Sequence, residues 1–383
     1  MIDKVYIKAK NILGESETFV DHYLVMEGGK ISAITPNIED GVECLDYSNA
    51  TLVPGLIDLH IHGREGCDVM DATHTALATI STSLAEHGVT GFLATTVTST
   101  WDDTLAAMDA IGNATNTNMP GAKVLGGYSE GLFFTEDHKG AHDEQYFLAL
   151  TKDRIDAMFK ACHGQLKVLA LAPEINNACE MIEYMNGVGI QSMLGHTNAT
   201  YDETRAALTA GASGGVHVFN GMRGIHHREP GCTGAVLMED TQVEVIADGV
   251  HLHPAILEMI CALKTPDKVT LISDCIQAGG KPDGTYKLGQ LDVHVKDGIA
   301  KTDSGSLAGS TLTLETAVQN LVKLAGVEFR DAIHMASLTP ATFLGIEDQT
   351  GSIKLGKNAD IAVLNENGQV DATFIDGDLI FNR

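Results

Sequence analysis

Hydrophobic and polar residues follow two alternating periods through the central part of the chain. Eight short runs rich in β-branched and aliphatic residues predict buried strands, and the segments between them carry apolar residues at a helical period of about 3.6. The predicted strands cover residues 52–62, 89–97, 122–130, 167–173, 190–197, 213–220, 242–249 and 268–274. The predicted helices include residues 74–86, 101–111, 153–161, 178–185, 200–210 and 254–263. This alternation predicts an α/β fold in which parallel strands close a TIM-like (β/α)8 barrel.

Both chain ends have a different pattern, with strand-like alternation and turn sequences in place of helices. The turns include MEGGK at residues 26–30 and NENG at residues 365–368. Glycine- and asparagine-rich turns of this kind predict hairpins. We expect the two ends to pair into one small discontinuous β-sandwich beside the barrel. The predicted division is residues 1–51 and 351–383 for the small β domain and residues 52–350 for the barrel domain.

The chain is long enough for this architecture, and its charge restricts the kinds of molecule that it can bind. A barrel of this kind takes about 250 residues, and the 383 residues present leave room for the small β domain. The 25 basic and 51 acidic residues give a formal charge of −26. We therefore expect neither nucleic acid nor a membrane surface as a partner, because both are anionic. An anionic substrate must be bound by a local cluster of positive groups.

The cysteines and the first residues bear on the cellular compartment. Seven cysteines are scattered along the chain without a C-x-x-C pair, which indicates reduced thiols. The first residues alternate like a strand and lack the apolar core of a signal peptide, and no stretch approaches membrane-spanning length. These features predict a cytoplasmic protein.

Five potential metal ligands fall at the ends of predicted strands. His60 and His62 form an H-x-H pair at the end of the first run, and Glu130, His196 and His217 end the third, fifth and sixth runs. The carboxyl ends of parallel strands meet at one rim of a barrel, where such folds keep their chemistry. Imidazole and carboxylate groups are ligands for Zn²⁺, Fe²⁺ or Mn²⁺. The alternative is that these are histidines packed in a core.

Asp274 ends the eighth run, on the same predicted rim. A carboxylate beside a metal-activated water can accept its proton and later protonate a leaving group. We therefore predict that Asp274 is the catalytic acid and base. The alternative is a loop or helix-capping carboxylate.

Together these residues lie in motifs that resemble the amidohydrolase superfamily and, within it, the N-acetylhexosamine-6-phosphate deacetylases. The resemblance covers nearly the whole chain, and its motifs are specific only jointly. They are PGLID (54–58), SEG (129–131), KGAH (139–142), LAPE (171–174), GHTNAT (195–200), HVFNGM (217–222), REPG (228–231), IADGVH (246–251) and LAGS (307–310).

The resemblance implies a function and a set of site residues. Glu130, His196 and His217 would hold the principal ion, with one or two divalent ions (Zn, Fe, Mn, Co or Ni) per subunit. Asp274 would be the general acid and base in deacetylation of an N-acetylhexosamine 6-phosphate. The implied substrate-binding residues are Ala141, His142, Asn220, Gly221, Arg228, Asp248, His251, Leu307, Ala308 and Gly309. Arg228 is expected to reach in from the partner of a homodimer.

Several departures from the family pattern leave the substrate open. Many relatives have His-Leu-Glu-Gly-Pro where this chain has YSEGL at residues 128–132. Some relatives lack the H-x-H pair and use a single ion. The pair is present here, so this chain has potential ligands for a second ion. Tyr128, the HHR sequence at residues 226–228 and the glycine-rich segment 279–284 are similar to the galactosamine branch. The gluco epimer is expected, with the galacto epimer as the alternative.

Two rival functions differ in what they require of the chain. A cyclic amidase of the dihydroorotase type usually bridges two ions with a carboxylated lysine at the end of the fourth strand. Here the only lysine of that run, Lys167, stands at its start. A non-catalytic binding relative would have lost ligand positions, and none is lost here.

Overall fold

The computed structural model describes residues 4–39 and 41–383. The first strands are β1 (Lys4–Leu13), β2 (Thr18–Glu27), β3 (Lys30–Thr35) and β4 (Glu43–Pro54). β1 pairs antiparallel with β2 and parallel with β4. Because β4 runs on to Pro54, Leu52 and Val53 belong to this strand. The predicted first barrel strand was therefore wrong at its beginning, and the barrel starts at Leu56 instead of Leu52.

Eight parallel strands form the barrel. The first is β5 (Leu56–Ile61), followed by a short hairpin of β6 (Gly63–Arg64) and β7 (Cys67–Asp68). The other seven are β8 (Val89–Thr96), β9 (Lys123–Ser129), β10 (Leu166–Leu171), β11 (Gln191–Leu194), β12 (Gly214–Gly215), β13 (Gln242–Val245) and β14 (Val269–Leu271). They lie in the order β14-β13-β12-β11-β10-β9-β8-β5. Beyond β14, the Asp274 amide donates to the His60 carbonyl oxygen at 2.9 Å. The predicted barrel is confirmed.

The described residues form ten α-helices and four short 3-10 helices, which lie between the barrel strands or follow the last of them. The α-helices are α1 (His74–Glu86), α2 (Trp101–Ala114), α3 (Lys152–Ala161), α4 (Ala178–Gly187), α5 (Tyr201–Thr209), α6 (Gly231–Met238), α7 (Pro254–Leu263), α8 (Leu314–Ala325), α9 (Phe329–Met335) and α10 (Leu338–Phe343). The 3-10 helices are Val69–Asp71, Glu136–His138, Glu144–Tyr146 and Pro266–Lys268. None of the helices in the described part of the chain is long and apolar enough to cross a membrane.

Local sequence explains where most outer helices begin, and burial explains why helix α6 was missed. Thr73, Thr100, Thr151 and Thr200 precede α1, α2, α3 and α5, and each side chain accepts a hydrogen bond from the first helical turn. Helix α10 was not predicted. Helix α6 was also not predicted. It is buried along all but its last residue, so it lacks the polar face that gives a helical period.

A three-stranded antiparallel sheet follows the barrel and was not predicted. It consists of β15 (Gly284–Leu288), β16 (Leu291–Lys296) and β17 (Ile299–Thr302). Its buried Leu288, Val293 and Val295 pack with Val97 and Ala308 beside the mouth of the barrel. The missed signal is the alternation within β16, where buried valines are separated by exposed polar residues.

The chain ends meet in the small β unit. The last strands are β18 (Ile361–Leu364), β19 (Val370–Ile375) and β20 (Asp378–Asn382), and the sheet order is β20-β19-β18-β4-β1-β2-β3. β18 pairs antiparallel with the end of β4. The unit has its own apolar cluster, which includes Ile7, Ile12, Leu24, Ile31, Leu52, Ile361, Val363 and Phe374. The division at residues 51 and 350 stays a prediction.

Candidate metal centre

The five predicted metal ligands lie together at the carboxyl ends of the barrel strands. His60 is in β5 and His62 follows it, Glu130 follows β9, His196 follows β11 and His217 follows β12. All five are buried. The ligands come from four separate strands, so the closed barrel is what brings them into contact.

Glu130 lies in the middle of this group and contacts both halves of it. Its Oε1 is 2.9 Å from His217 Nε2 and 3.2 Å from His196 Nε2. Its Oε2 is 3.1 Å from His62 Nε2 and 3.6 Å from His60 Nε2. One carboxylate can therefore bridge two neighbouring cation positions.

Asp274 completes the half that contains the H-x-H pair. Its Oδ1 is 3.3 Å from His62 Nε2 and 3.7 Å from His60 Nε2. The aspartate also lines the cavity above the cluster. Its carboxylate therefore lies between the buried histidines and the space that a substrate would enter.

Hydrogen bonds at the far side of each ring determine which nitrogen faces the cluster. The Nδ1 atoms of four histidines face oxygen acceptors, namely Glu244 Oε2 for His60, Thr95 O for His62, His138 O for His196 and Asn220 O for His217. A carbonyl or carboxylate oxygen can only accept, so each Nδ1 carries the proton. In the neutral ring the lone pair of Nε2 then points into the cluster.

These Nε2 lone pairs repel one another unless a positive charge lies between them. His60 Nε2 is 3.3 Å from His62 Nε2, and His196 Nε2 is 3.2 Å from His217 Nε2. Adjacent carboxylates outweigh burial and raise the pKa of His62 to about 9. The cluster thus attracts either protons or a cation. Imidazole and carboxylate donors fit a divalent transition metal, which releases such protons when it binds.

The backbone is strained at three of these positions. His196, His217 and Asp274 have φ values of 46°, 24° and 48°. Positive φ is uncommon outside glycine and persists where the surrounding structure requires it. The turn at His217 also ends β12 at Gly215, so the predicted strand over residues 213–220 was too long.

Substitution of Gly221 with alanine is expected to disturb the centre through His196. Gly221 has a φ of 59°, and a Cβ there would lie 2.7 Å from His196 Nδ1. We expect metal affinity about tenfold weaker, as when a ligand loses its orienting contacts. The left-handed φ adds about 1–2 kcal/mol of destabilisation. Metal titration and thermal unfolding measure the two effects.

Gly326 provides a matched control for this substitution. It has a φ of 66°, and a Cβ there would meet nothing within 4 Å. Gly326→Ala should therefore reproduce the backbone strain and leave metal affinity unchanged. Equal metal affinities in Gly221→Ala and Gly326→Ala would contradict the proposed contact with His196.

A cavity of 310 Å³ opens above the cluster. Seven of the predicted substrate residues line it, namely Ala141, His142, Asn220, Gly221, His251, Leu307 and Gly309. Sequence reasoning missed Val97, Gly140, Phe219, Leu288 and Ser306, which also line it. Gly140 and Phe219 belong to the KGAH and HVFNGM motifs, which could have indicated them. Leu288 and Ser306 come from the unpredicted sheet and a loop, for which the barrel pattern carries no signal.

His142 lies closer to the metal cluster than its predicted substrate role implies. Its Nε2 is 3.2 Å from His196 Nε2 and 3.6 Å from Glu130 Oε2. Its Nδ1 is 2.7 Å from Thr98 Oγ1. Burial disfavours the charged form of the ring and holds the pKa of His142 well below its usual value. His142 is therefore a neutral imidazole at the floor of the cavity.

The remaining predicted substrate residues lie outside the cavity lining. Asp248 holds His251, since its Oδ2 is 2.6 Å from His251 Nδ1. Ala308 is buried beside Leu307 in the cluster under the three-stranded sheet. Arg228 is exposed, and its Nη1 is 2.7 Å from His227 Nε2. Within a single chain, Arg228 therefore does not line the cavity.

Histidines and carboxylates gathered at the carboxyl rim of a barrel, beneath a cavity, define the class of metal-dependent barrel hydrolases. The sequence model of the Amidohydrolase family matches residues 51–380, and the chain belongs to this family. N-acetylglucosamine-6-phosphate deacetylase of Vibrio furnissii is 44% identical over 94% of this chain and 90% of its own length. N-acetylgalactosamine-6-phosphate deacetylase of Escherichia coli O157:H7 is 41% identical over 97% of this chain and 98% of its own length.

Solved structures are similar over the whole fold. N-acetyl-D-glucosamine-6-phosphate deacetylase of Mycobacterium smegmatis, in complex with N-acetyl-D-glucosamine-6-phosphate, superposes with a TM-score of 0.94 at 30% identity. That match covers 99% of this chain and 100% of the other. The resemblance to N-acetylhexosamine-6-phosphate deacetylases drawn from the sequence motifs is confirmed.

Proposed function

We propose that the protein hydrolyses the acetamide of N-acetyl-D-glucosamine 6-phosphate and releases acetate and D-glucosamine 6-phosphate. The observation that carries this proposal is the convergence of Glu130, His196, His217 and Asp274 beneath one cavity. Relatives named for this reaction support the choice of substrate. The enzyme is thus a hydrolase of a linear amide, expected in the cytoplasm in amino-sugar breakdown.

The residues of the centre divide the chemistry between them. Glu130, His196 and His217 would hold the principal divalent ion. Such an ion makes a water more acidic and polarises a carbonyl oxygen. The choice among Zn, Fe, Mn, Co and Ni is left to metal analysis of the purified protein.

Asp274 moves the proton in this proposal. Burial acts to raise the pKa of Asp274, but the hydrogen bond from His62 and the charges of His60 and His62 hold it below its usual value. The carboxylate is therefore ionised and accepts the proton of the attacking water. The new carbon–oxygen bond forms, Asp274 gives the proton to the amine nitrogen, and the carbon–nitrogen bond breaks. His142 and Ala141 would contact the acetamide or the sugar.

The phosphate needs a positive environment in a chain with a charge of −26. His251, the Asn220 side chain and the Gly221 amide would bind it from within the cavity. We propose that the cluster is completed by Arg228 of the partner subunit in a homodimer. This arrangement accounts for the exposed position of Arg228 in a single chain.

Replacement of Arg228 with lysine tests the phosphate role. Lysine keeps the charge but loses bidentate geometry, and one lost charge-assisted hydrogen bond costs about 1.5 kcal/mol. KM for the phosphorylated sugar should rise about tenfold, and KM for unphosphorylated N-acetylglucosamine should stay unchanged. Steady-state kinetics on both substrates measure the difference, and equal effects would exclude the phosphate role.

Mixing two inactive variants tests whether Arg228 acts across a dimer. A heterodimer of Asp274→Asn and Arg228→Ala subunits has one site with both residues intact if Arg228 acts on its partner. Activity should then reappear on mixing and subunit exchange. If Arg228 acts within its own subunit, both sites stay defective and the mixture stays inactive.

The galacto epimer is the second candidate, since a relative at 41% identity is named for N-acetylgalactosamine 6-phosphate. The deciding experiment compares kcat/KM for acetate release from the two epimers on one metal-loaded preparation. Preference for the gluco epimer supports the proposal, and preference for the galacto epimer replaces it. No release from either substrate would overturn both.

A cyclic amidase of the dihydroorotase type is the less favoured alternative. That chemistry needs a lysine at the carboxyl end of the fourth strand to bridge two ions. Lys167 is the second residue of β10, at the opposite end of the strand from the cluster. Glu130, whose two oxygens face different histidines, would hold both ions instead.

A further inference from the structure

One of the four groups that orient the cluster histidines is different from the others. Three are main-chain carbonyl oxygens, but His60 is held by the side chain of Glu244. Glu244 Oε2 is 3.1 Å from His60 Nδ1 and 3.4 Å from the main-chain nitrogen of His217. Glu244 therefore brings a full negative charge to a position where a neutral dipole serves the other rings.

This carboxylate is costly where it lies. Glu244 belongs to β13 and is 2% exposed. Its other oxygen, Oε1, is buried without a hydrogen-bond partner among the residues that the structure describes. A buried carboxylate with an unsatisfied oxygen is unfavourable unless a nearby positive charge compensates it. Besides the main-chain nitrogen of His217, the His60 ring is the group that links Glu244 to the donor cluster.

The arrangement of the donor atoms points to two cation positions. Glu130, Asp274 and Glu244 place three buried carboxylates on or directly behind the donor atoms. Their combined charge of −3 would become −1 with one divalent ion and +1 with two, so the centre can accommodate a second ion without a large excess of charge. The donor atoms form two groups, one of His60, His62 and Asp274 and the other of Glu130, His142 and His196. The Glu244 side chain contacts a histidine ring only in the first group.

The ring of His60 is also held from its second side. The Tyr128 ring lies against it, with the ring centroids 4.7 Å apart. Between this packing and the Glu244 hydrogen bond, the ring cannot turn without losing a contact. Outer residues of this kind fix the tautomer of a metal-binding histidine and raise its basicity.

We propose that Glu244 is a positioning residue, which holds His60 in the orientation of a ligand for the second divalent ion that the H-x-H pair allows. Glu130 is shared with the ion of the first site. The inference rests on the proposed function, since it concerns the same centre. It concerns how many ions bind, which is measured without any substrate.

A second carboxylate–histidine pair in this chain serves as the matched control. Glu315 Oε1 is 2.8 Å from His87 Nδ1, the residue is 9% exposed, and its Oε2 is also buried without a partner in the described chain. The Nε2 of His87, however, accepts from Arg64 Nη2 at 2.9 Å and does not face a donor cluster. Glu315→Gln thus removes the same kind of contact at a distance from the ions.

The test is a Co²⁺ titration of the metal-free protein, followed by visible absorption and by elemental analysis after gel filtration. The wild-type chain should bind two equivalents. Glu244→Gln should bind the second equivalent about 10- to 100-fold more weakly and the first with unchanged affinity. Glu315→Gln should bind both as the wild type does. One equivalent in the wild type, or two at full affinity in Glu244→Gln, would overturn the proposal.

A double-mutant cycle shows whether Glu244 acts through His60. His60→Asn should weaken the same equivalent, and addition of Glu244→Gln to it should have no further effect. Additive losses, or equal weakening of both equivalents with a lower melting temperature, would mean that Glu244 is merely structural. If Glu244→Gln does not fold, Glu244→Asp withdraws the carboxylate from His60 while keeping its charge. The second equivalent should weaken there too, and full affinity would again overturn the proposal.

These readouts separate the inference from the function on which it rests. A protein that binds two ions but releases no acetate would refute the proposed reaction and leave the role of Glu244 intact. A protein that releases acetate with one ion bound would refute the role of Glu244 and leave the proposed reaction intact.

Discussion

Replacement of Asp274 with asparagine is expected to lower kcat for acetate release by about 10²- to 10⁴-fold, the usual contribution of a general acid and base. Asparagine has nearly the same shape but cannot accept the proton of the attacking water. An amide is a poor electrophile with a poor leaving group, so the loss of proton transfer to nitrogen affects the slow step directly. KM should change little, because the substrate contacts stay in place.

Kinetics and metal analysis together check this result. The ion assigned to Glu130, His196 and His217 should stay bound in Asp274→Asn, because these ligands do not depend on the aspartate for their orientation. Asp240→Asn, at an exposed carboxylate paired with Lys268, is a suitable control and should be fully active. Turnover of Asp274→Asn near the wild-type rate would refute the assigned role.

Replacement of Glu130 with glutamine should remove both bound metal and activity. Both Glu130 oxygens face histidine Nε2 atoms, so the substitution withdraws one negative charge from both donor groups. Activity should fall at least about 10³-fold, because the several kcal/mol that a metal ion contributes to transition-state stabilisation is lost. Elemental analysis of the purified variant measures the metal directly.

Thermal unfolding gives a second measure of the same loss. A ligand that binds only the folded chain stabilises it by about 2.7 kcal/mol at a hundred times its Kd. A chelator should therefore lower the Tm of the wild type and leave that of Glu130→Gln unchanged. Glu315→Gln, which changes a buried carboxylate outside the centre, should respond to the chelator as the wild type does. A wild-type metal content in Glu130→Gln would contradict the bridging role.

Much of the fold follows from local patterns in the sequence. Strands β5 and β8 are buried along their whole length, and this continuous burial is what makes a barrel strand visible as an apolar run. The outer helices show the complementary helical period. Elements without a period of their own were missed, as helix α6 shows. The three-stranded sheet was missed because it interrupts the strand–helix alternation that the barrel predicts.

The candidate site divides in the same way. His60, His196 and His217 could be named from the sequence, because each stands where an apolar run ends and a barrel rim begins. Glu244 could not, because it lies within a run and becomes significant only through its contact with a histidine 184 positions away. His142 was recognised as a site residue through its motif, but its place beside His196 depends on the loop that carries it.

The sequence by itself determined the barrel, the small β unit from both chain ends and the residues at the strand ends, because periodic burial and strand-end chemistry are local properties. The tertiary structure alone decided how these residues meet. It turned the Nε2 atoms inward by hydrogen bonds from the Nδ1 atoms, three of them to oxygens far away in the chain, and placed Glu130 between two donor groups. It also closed the cavity with a sheet outside the barrel pattern and left Arg228 outside it. Such relations depend on distances between segments far apart in the chain, which a one-dimensional pattern does not contain.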